Sequence, residues 1–140
     1  MNTVLSVDLY NALKKVKITK ISKIPVLNHV HLEFINGELL LTSTDLENTK
    51  KSKCPCCIEE EWSTCLPMQS KIDVSTTYKP VWHKVYTFMD FVEVCAEYKD
   101  ILEFTFEPKI QTVTIKVRGE RNTSTFKCID SLEFPVIAVE

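Results

Sequence analysis

The sequence predicts an α+β fold: a helix-plus-β-meander unit used twice, with two helices packed on antiparallel sheets in a single domain, 1–140. Three observations carry that expectation. Asn36-Gly37 stands between two apolar-rich stretches, and this pair suits a two-residue hairpin turn because both central residues need positive φ. A helix followed by a run of antiparallel strands reads off twice along the chain. At 140 residues, with 44% hydrophobic and 26% charged composition, the chain is long enough to bury a core and too apolar for global disorder.

The first unit opens with a helix over 6–20. Ser6 is a plausible N-cap, and Leu9, Leu13 and Val16, with Ala12 beside them, form one apolar stripe. Asn11, Lys14 and Lys15 point the other way. Strands follow over 27–35 and 38–43, joined by the Asn36-Gly37 turn. In the second unit Phe88, Phe91, Val92 and Cys95 share one helical face, while Asp90, Glu93 and Glu97 cluster on the opposite one. Strands follow over 101–106 and 112–117, with a turn at Glu107-Pro108-Lys109. Arg118-Gly119-Glu120 turns into a third strand over 123–129. The string Leu32-Glu33-Phe34 recurs as Leu102-Glu103-Phe104. Two such halves, related by a pseudo-twofold, can bury their sheet faces under a pair of helices.

Several functions find no support. Net charge is −2 with a pI near 5.9, so bulk basicity does not mark a nucleic-acid partner. No apolar run is long enough to span a membrane, and the N-terminus lacks the apolar core of a signal peptide. A cytoplasmic protein is therefore expected, in which six cysteines are thiols or metal ligands rather than disulfides. There is no phosphate-binding loop, dinucleotide fingerprint or His-Glu-x-x-His zinc motif. His29 and His31 share one strand face and His83 stands apart, without a catalytic signature around them. No catalytic residue and no cofactor is assigned.

Cys54, Cys56, Cys57 and Cys65 are the only set resembling zinc ligands, and their spacing argues against zinc. Knuckles favour two residues between paired cysteines, whereas Cys54-x-Cys56 on a strand shares one face and turns Cys57 to the other. The alternative is packing as small apolar residues within a sheet. Cys95 and Cys128 follow helix and strand patterns as core positions.

Basic side chains gather on the first helix. Over residues 7–20, Lys14, Lys15, Lys17 and Lys20 against Asp8 leave a local charge of +3, and Lys23 follows. On the residues alone, such a face is either a phosphate-contacting surface without sequence readout or an ordinary solvated one. The second helix is the reverse: Asp90, Glu93 and Glu97 against Lys99 leave −2 over 88–99.

Residues 24–47, with Pro25-Val26-Leu27, the hairpin and Thr44-Asp45-Leu46-Glu47, resemble the first domain of the bacterial sliding clamp, the β subunit of DNA polymerase III. A second match runs from Thr125 through Ile129-Asp130-Ser131-Leu132-Glu133-Phe134-Pro135, similar to the segment that closes that domain. The resemblance covers roughly 4–47 and 88–138, and Cys65-Leu66-Pro67 stands where the family carries a Val-Pro pair. A divergent insertion at about 68–87, with Tyr78, Trp82, His83 and Tyr86, is the main departure; loops of this length tend to be functional or mobile.

What the resemblance implies is the DNA clamp (processivity) fold and a non-enzymatic protein. Such a protein encircles or tethers to duplex DNA without reading sequence and recruits a DNA polymerase or other replication protein. In that family the helices line the ring's hole. By position, the resemblance assigns DNA contact to Lys14, Lys15, Lys17, Lys20 and Lys23. It also implies a homo-oligomer, since the family's ring has six domains and this match is to one; about six copies would close it. The family's peptide pocket lies in later domains, so no residue inherits it. The acidic second helix opposes a ring around DNA. It leaves as alternatives a monomeric interaction module with the clamp fold, with Trp62, Tyr78, Trp82 and Tyr86 as its contact residues, or a small zinc-binding protein.

Overall fold

A computed structural model describes residues 1–18, 21–68, 87–120 and 123–135. The elements run β1 (Asn2–Leu5), α1 (Ser6–Lys15), β2 (His29–Ile35), β3 (Glu38–Thr44), β4 (Thr49–Pro55), β5 (Trp62–Pro67), α2 (Phe88–Glu97), β6 (Ile101–Glu107), β7 (Thr112–Val117) and β8 (Thr123–Lys127). Short 3-10 turns lie at Pro25–Asn28 and Ser131–Glu133.

Two antiparallel four-stranded sheets carry these strands, in the orders β4-β3-β2-β5 and β8-β7-β6-β1. Each half therefore donates its first strand to the other half's sheet. Two isolated bridges tie the sheets together. Thr3 exchanges both backbone hydrogen bonds with Cys57, and Cys65 does the same with Ile129, all at 2.9 Å. The two junctions are equivalent under the pseudo-twofold, which is how the expected duplication is realised.

Alternation builds the core. β2 buries Val30, Leu32 and Phe34, β3 buries Leu39 and Leu41, and β6 and β7 bury Leu102, Phe104, Val113, Ile115 and Val117. Phe34 meets Phe104 edge-on at 5.5 Å across the sheets, and Trp62 stacks on Phe106 at 4.8 Å. Full burial of one such ring contributes about 2–3 kcal/mol. The helices repeat one burial pattern: Ser6, Leu9, Ala12 and Leu13 in α1 occupy the same offsets as Phe88, Phe91, Val94 and Cys95 in α2, all buried.

The Asn36-Gly37 turn forms as expected, with φ of 53° and 77° at its two residues. Other expectations are corrected. The first helix stops at Lys15 rather than 20, because the β-branched Val16 and Ile18 and an i−3 bond from Val16 N to Leu13 O tighten its end. The N-cap is Leu5, with no side-chain cap; Ser6 is the first helical residue and is buried. Proline bends 25–28 into a 3-10 turn before β2 starts at His29. β1, β4 and β5 are additional strands. β4, with Lys50, Lys51 and Lys53, has no apolar alternation to announce it. The second helix ends at Glu97, where Lys99 takes a left-handed φ of 56°.

The repeated Leu-Glu-Phe string is out of step with the real repeat. Leu32 pairs with Thr64 and Phe104 with Asn2, and the bridged neighbours Cys65 and Thr3 are equivalent; Phe104 therefore corresponds to Leu32, not to Phe34. A shift of two leaves every side chain on the same face, so the string signals alternation rather than descent. The insertion expected at 68–87 falls, from 69 to 86, outside the described residues.

Candidate nucleic-acid interface

α1 is locked onto the first sheet by hydroxyls. Ser52 Oγ donates to Ala12 O at 2.7 Å and Ser43 Oγ to Val16 O at 2.8 Å, satisfying carbonyls left over at the helix end. Its other end is held to α2: Ser6 Oγ lies 2.9 Å from Cys95 O and 2.6 Å from Asp100 O. The helices thus lie side by side, and their outward surfaces form one face.

Lys14 and Lys15 on α1, Lys17 just past its end and Lys23 beyond are all exposed. Lys14 and Lys15 sit in the last turn of α1, where positive charge suits the helix dipole. Lys20 lies outside the described residues. Lys50, which sequence reasoning did not single out, joins the group: its Nζ donates to Lys17 O at 2.9 Å. Its place opposite Ser43 is set by strand register, which no local pattern reveals. A cleft of about 200 Å³ opens beside it, between Lys17, Ile18, Ile21 and the β3–β4 turn. Lys51 lies on the opposite face of β4, and Lys53 pairs with Glu38 at 3.5 Å.

Thr44-Asp45-Leu46-Glu47 makes that turn. The Asp45 carboxylate accepts from Asn48 N at 2.6 Å and Glu47 N at 2.9 Å, and Leu46 takes a φ of 79°. These backbone donors, Asn48 first, hold the Asp45 carboxyl below its usual range.

The acidic residues of α2 have different surroundings. Asp90 closes a capping box with Thr87, accepting from its N at 3.2 Å, so its charge meets the helix N-terminus. Glu93 and Glu97 are exposed on the shared face. Tyr10 Oη donates to Glu93 Oε2 at 2.6 Å, and Lys14 Nζ stands 4.8 Å from the centre of the Tyr10 ring. The accepting Glu93 carboxylate, with partial burial second, raises the Tyr10 phenol above its ordinary value.

The cysteines do not converge. Cys54 and Cys65 lie on β4 and β5, opposite edges of one sheet with two strands between them, and no three His, Cys, Asp or Glu side chains group for a metal among the described residues. Burial pushes the thiols of Cys54 and Cys65 up to about 12, and those of Cys56 and Cys128 to about 11. Cys57 is exposed. His31 stacks on Phe134 at 5.1 Å, and His29 Nδ1 is 2.8 Å from Pro25 O; burial lowers both imidazoles. His83 lies outside the described residues. Among those residues no helix is long and apolar enough to cross a membrane.

Paired helices on two sheets that exchange their first strands define a sliding-clamp domain fold. The particular likenesses are to bacterial clamps. The structure matches the DNA polymerase sliding clamp of Caulobacter crescentus with a TM-score of 0.73 at 16% identity, covering 100% of this chain and 33% of that one. It matches the DNA polymerase III subunit beta of Pseudomonas aeruginosa with a TM-score of 0.70 at 19% identity, covering 100% and 33%. The griselimycin-bound sliding clamp of Bartonella birtlesii gives 0.73 at 14% identity, covering 100% and 32%. The chain therefore spans about a third of the length of these clamps. No family model and no curated protein matches the sequence.

Proposed function

We propose that this chain is a sliding-clamp-like processivity domain, non-enzymatic, that tethers to or encircles duplex DNA in the cytoplasm and recruits a polymerase or other replication protein. The observation that carries this reading is the group of exposed lysines at the end of α1, Lys14 and Lys15 in its last turn and Lys17 just past it, with Lys23 and Lys50 nearby. Such a face attracts phosphates without reading bases, which suits a tether that must move along DNA. Lys20 belongs to the same proposal by sequence position. Assembly would use the sheet edges: among the described residues, no strand pairs with the outer edge of β4 or of β8. Edge-to-edge pairing of β4 with β8 of the next copy is heterologous and closes a ring if the rotation allows.

A second reading is a monomeric interaction module with the clamp fold. Two observations favour it: Glu93 and Glu97 project from α2 beside the lysine face, and β4 carries Lys50, Lys51 and Lys53, the kind of charge that blunts an edge strand. Light scattering coupled to size exclusion separates the two. A mass near six copies supports the ring; a strict monomer at high concentration, with no retention on duplex DNA at low salt, supports the module.

A further inference from the structure

We infer that Tyr10, anchored by Glu93 across the helix pair, is a positioning residue that holds the Lys14 ammonium for phosphate contact. This rests on the DNA-tethering reading above. A free lysine on a solvated helix samples many rotamers, and fixing one for each contact costs entropy. Here Lys14 follows Tyr10 by four residues, so the two share a side of α1. Its Nζ lies 4.8 Å from the ring centre, within the range of a cation–π contact. The ring is itself fixed, because its hydroxyl reaches Glu93 Oε2 on the neighbouring helix at 2.6 Å, a charge-assisted bond. The accepting carboxylate adds electron density to the phenol, which strengthens the attraction for the ammonium above it.

The arrangement gives Glu93 a defined part on a surface meant for phosphates. An exposed carboxylate there repels DNA, yet this one is turned onto Tyr10, and through Tyr10 it orders a cation. The effect of Glu93 on phosphate binding therefore has two opposed parts, direct repulsion and indirect positioning. Only the second passes through the tyrosine.

The experiment is a double-mutant cycle on the full chain, titrated with a short fluorescent DNA duplex over a range of low salt concentrations. The single variants are Lys14→Gln and Tyr10→Leu, combined in the double variant, with Tyr10→Phe keeping the ring and losing its anchor. Lys14→Gln is expected to weaken binding in the wild-type background. It is expected to weaken it about threefold less when Tyr10 is already Leu, with Tyr10→Phe intermediate. The salt slope is expected to fall by about one for Lys14→Gln, and to change little when the same substitution follows Tyr10→Leu. Lys14 side-chain proton shifts supply a readout that needs no DNA: the upfield displacement from the ring is lost in Tyr10→Leu and reduced in Glu93→Ala. Equal Lys14→Gln losses in both backgrounds, with wild type still binding, overturn the positioning role and leave the tethering reading intact. Wild-type protein that shows no salt-sensitive association with duplex overturns the tethering reading and this inference with it.

Discussion

The hydroxyl of Tyr10 on α1 and the carboxylate of Glu93 on α2 meet at 2.6 Å, joining a basic helix to an acidic one across the face they share. The Glu93 carboxylate, first among the causes, raises the tyrosine's folded-state pKa. A raised phenol contributes stability that is present below its ordinary value and lost as pH climbs through the folded-state value. The pair is largely exposed, so the stability effect is small and the titration is the better readout. Ultraviolet difference titration of wild type against Tyr10→Phe is expected to show one phenol ionising late, and Glu93→Gln is expected to return it toward normal. A Tyr10 that titrates the same way in both backgrounds contradicts the bond.

Charge reversal at Lys14 and Lys17 is expected to weaken duplex association strongly at low salt while leaving the melting temperature within about 2 °C of wild type, as surface substitutions generally do. The measure is the slope of log affinity against log salt, which should fall by about two. Unchanged retention on DNA would remove the clamp mechanism.

Gly37→Val is expected to destabilise the fold by about 1–3 kcal/mol. Gly37 has a φ of +77°, and a Cβ built there has no atom within 4 Å, so the cost is backbone strain on a β-branched residue rather than a clash. Thermal melting reads it, and an unaltered transition would contradict the turn.

Ser6→Ala is expected to cost about 1 kcal/mol, the net worth of a typical buried hydrogen bond. Ser6 Oγ binds the end of α2 through Cys95 O and Asp100 O, and both carbonyls keep backbone partners, so no acceptor is orphaned. Denaturant unfolding measures it; a loss several times larger would mean that the helix pair rests on this hydroxyl.

The thiols give a pH test. Cys54 and Cys65 lie near 12, and Cys56 and Cys128 near 11, all raised mainly by burial. Folded-state values above the ordinary one mean stability that is complete below pH 9 and lost as pH rises through about 11–12. Mass-resolved alkylation near neutral pH is expected to modify exposed Cys57 first and to reach Cys54, Cys65, Cys95 and Cys128 only on unfolding. Early modification of Cys65 would contradict its burial.

How much was legible depended on whether the signal was local. The Asn36-Gly37 turn is a demand on two dihedral angles, and only a few residues meet it, so the hairpin was readable. The apolar stripes of both helices were readable because burial on one face imposes a 3.6-residue period. β1 was not: four residues hold no periodicity, and Asn2–Leu5 is a strand only because β6 lies beside it. β4 was hidden for the opposite reason, since a lysine-rich edge strand looks like a solvated loop. Lys50 joined the candidate interface only when register placed it opposite Ser43.

By itself the chain's order of residues determined the α+β class, the turn, both helical faces and the opposite charges of the two helices. These follow from dihedral preference, periodicity and composition, which act over a few residues. Only the tertiary structure decided that each half lends its first strand to the other's sheet, that Cys54 and Cys65 stand on opposite edges, and that Tyr10 meets Glu93. The strand exchange and the Tyr10–Glu93 bond join positions dozens of residues apart, and the separation of Cys54 from Cys65 follows from strand order; no neighbouring residue constrains them, whereas the shared core and the backbone bonds of the two bridges do.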